Sequence, residues 1–192
     1  MRVIAGAYKG RRLKAPTWDG LRPTSDKLRE TLFNILAPRM AGAAVLDGFA
    51  GTGAVGIEAL SRGAARVVFV ERDRRAQALI AANLAACGVP AQGYTIEGGE
   101  LVAALRRMPA DAGFDLILLD PPYDIANTRE VLDAAAARLR AGGLLVLERA
   151  TRREPDAPAS LIRVRDVKSG DSALTFYECG LDLARSGHEG TR

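Results

Sequence analysis

Histidine is nearly absent from this chain, which has 192 residues and a single one, His188. That scarcity excludes histidine-rich metal sites and any mechanism built on a buried catalytic histidine, so no metal is expected. The two cysteines, Cys87 and Cys179, form neither a CxxC pair nor a disulfide framework, which predicts a reduced, cytoplasmic protein. Cys87 falls on an apolar helical stripe and reads as core. No uninterrupted apolar run reaches membrane-spanning length, and the opening MRVIAGAYKGRR lacks the apolar core of a secretory signal. A membrane partner is not expected, and a monomer is the default.

Acidic residues are scarce at the start of the chain. Residues 1–39 hold nine Lys/Arg against three Asp/Glu, a net +6 in a chain of net +4, which leaves the remainder at −2. A basic module on a near-neutral body points to a polyanion partner or to an ordinary solvated face. The chain is long enough for one α/β domain with a small appendage.

Residues 2–6 and 11–15, with Gly10 between them, predict a β-hairpin whose turn carries Lys9, Arg11 and Arg12. A Pro/Gly loop follows. Thr24 or Ser25 then caps a helix with Leu28, Leu32, Ile35 and Leu36 on its apolar stripe, limited by Pro38. From residue 43 strands and helices alternate. Strands are expected at 43–47, 66–70, 94–97, 114–120 and 144–148. Helices are expected at 54–62, at 74–87 and around Leu101, Leu105 and Met108. A further helix, opened by an Asn127–Glu130 capping box, is expected to run through Leu139. Alternating strands at 160–167 and 173–179 close the sheet as an antiparallel hairpin. The expectation is a doubly wound, Rossmann-like α/β sheet of about seven strands, preceded by a small hairpin–helix extension. The corresponding division is 1–39 for the extension, 40–183 for the sheet domain and 184–192 for a tail.

Residues 45–60 read VLDGFAGTGAVGIEAL, with Asp47, Gly51, Thr52, Gly53 and Gly56 at and after the end of the first strand. Glycines there permit a tight strand-to-helix turn and close ligand approach. NAD, FAD and S-adenosylmethionine domains all use such a turn. Glu71 ends the second strand and suits the two ribose hydroxyls of an adenosyl group. Arg72 adjoins it, and Asp73 serves equally as a helix cap. Asp47 would crowd a pyrophosphate with negative charge, whereas the amino group and sulfonium of S-adenosylmethionine are cationic. Charge therefore favours the methyl donor. Gly98, with Gly99, Glu97 or Glu100, borders the expected adenine position.

Asp120, Pro121, Pro122 and Tyr123 follow the fourth strand, at the edge where α/β sheets bind ligands. The prolines lack N–H groups, so their carbonyls and the Asp120 carboxylate form an acceptor-only nest matched to an –NH₂ group. Tyr123 would stack on a base withdrawn from its neighbours. The bland alternative is a rigid turn beside a surface tyrosine.

Five segments carry a family likeness: RVIAGAYKGRRL, LRPTSDKLRETLFNIL, LDGFAGTGAVGIEALSRGA, FVERD and DPPY. With them the chain resembles the bacterial 16S rRNA (guanine(966)-N(2))-methyltransferase family over residues 1 to about 180. The resemblance implies a class I S-adenosylmethionine-dependent methyltransferase fold. It implies cofactor binding by Gly51 through Gly53 and Glu71, with Asp120 at the boundary of both ligands. Target-base binding falls to Asp120 through Tyr123. The implied substrate is 16S rRNA within the small ribosomal subunit or an assembly intermediate. Lys9, Arg11, Arg12, Lys14, Arg22 and Arg29 are the candidate RNA contacts, with Arg29 equally open to helix pairing or closure over the cofactor. Trp18 either stacks on a base or packs its loop. Gly48 departs from the larger residue common in the family and would loosen the loop. Enzymes of the same chemistry on DNA adenine N6 or cytosine N4, and a non-catalytic RNA-binding assembly protein, are the rival classes.

Overall fold

The computed structural model describes residues 1–18, 26–122 and 127–180. After α1 (Asp26–Leu36) come β1 (Ala44–Gly48), α2 (Ala54–Ser61), β2 (Arg66–Glu71), α3 (Arg74–Cys87) and β3 (Tyr94–Gly98). Then follow α4 (Leu101–Arg107), β4 (Phe114–Leu119), α5 (Thr128–Ala136), β5 (Leu139–Ala150), β6 (Leu161–Ser169) and β7 (Ser172–Cys179). The seven strands form one sheet in the order β3-β2-β1-β4-β5-β7-β6. The pairs from β3 to β5 are parallel, while β7 runs antiparallel to both β5 and β6. The antiparallel strand beside β5 is thus the last in sequence, and β6 takes the edge.

Strand alternation sends side chains to two cores. Val45, Phe69, Leu116, Leu118 and Val146 pack with α1, α2 and α3 on one face. Leu46, Ile117, Leu119, Leu145 and Leu147 pack with α4 and α5 on the other. Each such buried aliphatic contributes about 1.5–3 kcal/mol. Gly56 sets how closely α2 lies on the sheet: a Cβ there would stand 2.2 Å from Phe69 Cε1.

The N-terminal hairpin is reduced to one Arg2–Arg12 bridge with short flanking bonds, Val3 N to Arg11 O at 3.0 Å and Leu13 N to Met1 O at 3.1 Å. Tertiary partners divert the intervening backbone. Buried Glu58 accepts Ile4 N and Ala5 N at 2.7 and 3.0 Å. Ser61 O accepts Ala7 N at 2.7 Å, and Ser61 Oγ accepts Tyr8 N at 2.9 Å. Val3 and Leu13 enter the same core as Leu28, Leu32, Phe33 and Leu36. The extension is therefore packed against α2 and α3 and shares their core.

Two local expectations need correcting. Asn127 precedes α5 but makes no side-chain cap bond, and Glu130 pairs with Arg106 at 3.1 Å, so the box does not close. The helix ends at Ala136, and Leu139 instead begins β5, paired with Phe114. The caps expected at Thr24 and Ser25 lie outside the described residues, as does the 184–192 tail. Among the described residues no helix is long and apolar enough to cross a membrane.

Candidate functional site

The carboxyl ends of β1, β2 and β4 bring three acids to one rim. Asp47, Glu71 and Asp120 are near enough for the latter two to act electrostatically on the first. Asp47 is buried, and its Oδ2 accepts Gly56 N at 2.8 Å. Burial pushes its carboxyl up to about 8; the Gly56 bond opposes this, and the charges of Asp120 and Glu71 reinforce it. Burial thus works against the negative charge expected at Asp47, and the carboxyl anchors the first turn of α2 through Gly56 N.

Glu71 organises the glycine loop. One carboxylate oxygen accepts Gly51 N at 2.8 Å and the other accepts Asp73 N at 2.9 Å. Each oxygen keeps a second lone pair, so two hydroxyls can still be received. The loop needs unusual backbone angles, with φ of 64° at Phe49, 53° at Gly51 and 74° at Gly53. Thr52 is buried, and its carbonyl accepts Asn83 Nδ2 at 3.0 Å. Gly48 does not loosen the strand end: a Cβ would lie 2.6 Å from Leu119 Cδ2, so leucine already fills the space.

Asp73 caps α3, accepting Arg75 N at 2.8 Å, and its hydrogen-bonded ion pair with Arg75 holds its carboxyl at about 2. Arg72 is exposed and pairs with Glu100 at 3.2 Å. Gly98 ends β3 opposite Glu71, with its carbonyl accepting Arg107 Nη2 at 3.0 Å. Asp120 N reaches Gly48 O at 3.5 Å, which ties the β4 exit to β1. Pro121 is buried and Pro122 exposed; Tyr123 lies outside the described residues. A cavity of about 860 Å³ opens beside the two prolines, bounded by α5, the end of β5 and the following loop.

The basic candidates separate. Lys9, Arg12 and Lys14 are exposed on the N-terminal arm. Arg11, also exposed, is anchored: it donates to Cys87 O and lies over the Tyr8 ring. Arg29 leaves the candidate surface altogether. It is fully buried, donating to Arg2 O at 2.7 Å and Asp26 at 2.9 Å, so an RNA phosphate has no access to it in this structure. Burial lowers its pKa, against the pull of Asp26 and Glu58. Arg22 lies outside the described residues. The Trp18 ring has Arg75 at 4.9 Å, which places it at the start of α3.

Sequence reading missed Glu58, Ser61 and Asn83 as anchors. The available signal was a polar residue inside an apolar run: Glu58 in AVGIEALS, and Asn83 on the stripe with Leu79, Ile80 and Leu84.

The family described as Conserved hypothetical protein 95 matches residues 1–178. The chain is 34% identical over 185 residues to the ribosomal RNA small subunit methyltransferase D of Escherichia coli K12, covering 93% of this chain and 89% of that protein. Its counterpart of the same name in Haemophilus influenzae is 29% identical over 180 residues, covering 93% of each. The solved Escherichia coli protein yhhF superposes with a TM-score of 0.81 at 34% identity, over 93% of this chain and 97% of that one.

Proposed function

Since the chain belongs to the Conserved hypothetical protein 95 family and is homologous to the small subunit methyltransferases D, we propose that it methylates a guanine in 16S rRNA. The reaction moves a methyl group from S-adenosylmethionine to the exocyclic N2 amine of the 966-type guanine. The observation that supports this most is the convergence of Asp47, Glu71 and Asp120 at one rim, next to a proline pair that offers acceptors and no donors.

The donor set fits the cofactor. An acidic, glycine-lined rim suits a cationic ligand, and the spare lone pairs of Glu71 suit ribose hydroxyls. When bound, the cofactor supplies a methyl group on a positively charged sulfur, a good leaving group. The chain's own work is placement. Asp120 and the Pro121 carbonyl accept the two N–H bonds of the amine and turn its delocalised lone pair toward the methyl group. The amine nitrogen gains one bond to carbon, and Asp120 takes the proton it sheds. Tyr123 serves as the stacking surface.

Residues 1–39 act as the RNA-binding extension and 40–183 as the methyltransferase domain of a cytoplasmic monomer, with 184–192 as a tail. The substrate is rRNA within the small subunit or an assembly intermediate. Labelled S-adenosylmethionine, offered undermodified small subunits, free rRNA and duplex DNA, tests the assignment. Label is expected in guanine N2 of the ribosomal substrates, and incorporation into DNA alone would overturn it.

A further inference from the structure

Residues 11–18 run antiparallel along α3 and are held at three heights. Arg11 donates to Cys87 O at the carboxyl end of the helix. Lys14 N donates to Asn83 Oδ1 at 2.8 Å, and Asn83 Nδ2 donates back to Lys14 O at 3.3 Å. Arg75, in the first turn, lies against Trp18.

The middle contact continues inward. Asn83 is fully buried, and its Nδ2 also donates to Thr52 O in the glycine loop at 3.0 Å. One amide group thus spends both its donors and its acceptor joining the arm to the loop. The next contact on the same helix face is equally tight: a Cβ on Gly53 would lie 3.1 Å from Ile80 Cγ2. The Asn83–Thr52 bond is buried, where water cannot replace it, while the Lys14 bonds are part-buried with their Asn83 end enclosed. Any displacement of the Lys14 backbone must therefore turn the amide or leave a buried polar group unpaired.

We propose that Asn83 is a positioning residue through which RNA held by the exposed Lys9, Arg12 and Lys14 tightens the glycine loop on its ligand. This rests on the function proposed above. Coupling between two binding sites is reciprocal, so each ligand raises the other's affinity by the same factor. The loop adopts its ligand-ready backbone most fully when RNA fixes the arm.

Calorimetric titration of the whole chain with S-adenosylhomocysteine, with and without saturating transcribed small-subunit rRNA, measures this factor. RNA is expected to tighten the binding about tenfold in the wild type, within the usual range of allosteric coupling. In Asn83→Ala both ligands still bind singly, and the factor falls to about one. Lys14→Pro removes the N–H that Asn83 accepts together with the Lys14 ammonium, whereas Lys14→Ala removes the ammonium alone; the coupling is expected to vanish in the proline variant and to survive in the alanine one. Dividing the two affinities of each variant cancels any change in its own RNA binding.

A merely structural Asn83 would lower the melting temperature and leave the factor at its wild-type value; that result overturns the proposal. A wild-type factor of one, with S-adenosylhomocysteine and RNA each bound, overturns it while leaving the proposed function standing. Failure of the wild type to bind S-adenosylhomocysteine at all would instead strike the proposed function.

Discussion

With the cationic methyl donor placed beside Asp47 as proposed, its binding should expel a proton, because a carboxyl pairs with a cation in its ionised form. With its carboxyl at about 8, the group is roughly one-tenth ionised at pH 7. Drawing it into the charged form costs about 1.4 kcal/mol there, a tenfold loss of affinity relative to the fully ionised site. Between pH 6 and 7.5 the ionised share rises about 20-fold, and affinity should rise with it. The ligand's own amino group stays largely protonated over that interval. Calorimetry in two buffers of unlike ionisation enthalpy reads the release directly, at close to one proton per chain at pH 7. Asp47→Asn keeps an acceptor for Gly56 N and removes the titration, so its affinity should be weaker and flat over the same interval. Stability follows the same linkage with a definite sign. The folded carboxyl sits above its unfolded value, so between about pH 4 and 8 the folded state holds the extra proton. Stability from this group accordingly falls as pH rises through that window, and Asp47→Asn should lose the dependence. A wild-type affinity that does not change from pH 6 to 7.5, or an equal slope in the variant, would refute the reasoning.

Asp120→Ala should remove methyl transfer, by about a hundredfold or more, while S-adenosylhomocysteine still binds; near-normal turnover of undermodified small subunits would contradict its place at the amine. Reversing Lys9, Arg12 and Lys14 to Glu should weaken RNA binding and flatten its salt dependence by about two units of logarithmic slope or more, and an unchanged slope would clear the arm of phosphate contact. Glu58→Ala leaves Ile4 N and Ala5 N without their acceptor, so urea unfolding should show a loss of about 2–4 kcal/mol. A loss below about 1 kcal/mol would mean that water satisfies those groups instead.

Much of the sheet domain was legible because burial on both faces leaves a plain trace. FDLILL reads as a central strand since every alternate side chain needs an apolar face, and β4 does lie between β1 and β5. The α3 span was legible too: the expected 74–87 is the observed helix, capped by Asp73, and Gly88, at φ 63°, ends it. The first hairpin was legible only in part: residues 1–3 do pair with residues 10–13, but Ile4, Ala5, Ala7 and Tyr8 bond to α2 instead of extending the ladder. An alternating pattern cannot announce a buried glutamate as the competing acceptor.

By itself the order of residues determined which segments become strands and helices, and which chemical groups stand at the strand ends: Asp47, Glu71, Asp120 and the prolines after it. Those are local matters of periodicity, turn chemistry and side-chain type. Tertiary structure alone decided what charge and which partners those groups have. Burial beside two other carboxylates sets the protonation of Asp47, enclosure removes Arg29 from the surface, and folding carries Lys14 and Thr52 to opposite sides of the Asn83 amide. Desolvation and hydrogen bonding between distant residues depend on positions in space, for which neighbouring residues in the chain hold no record.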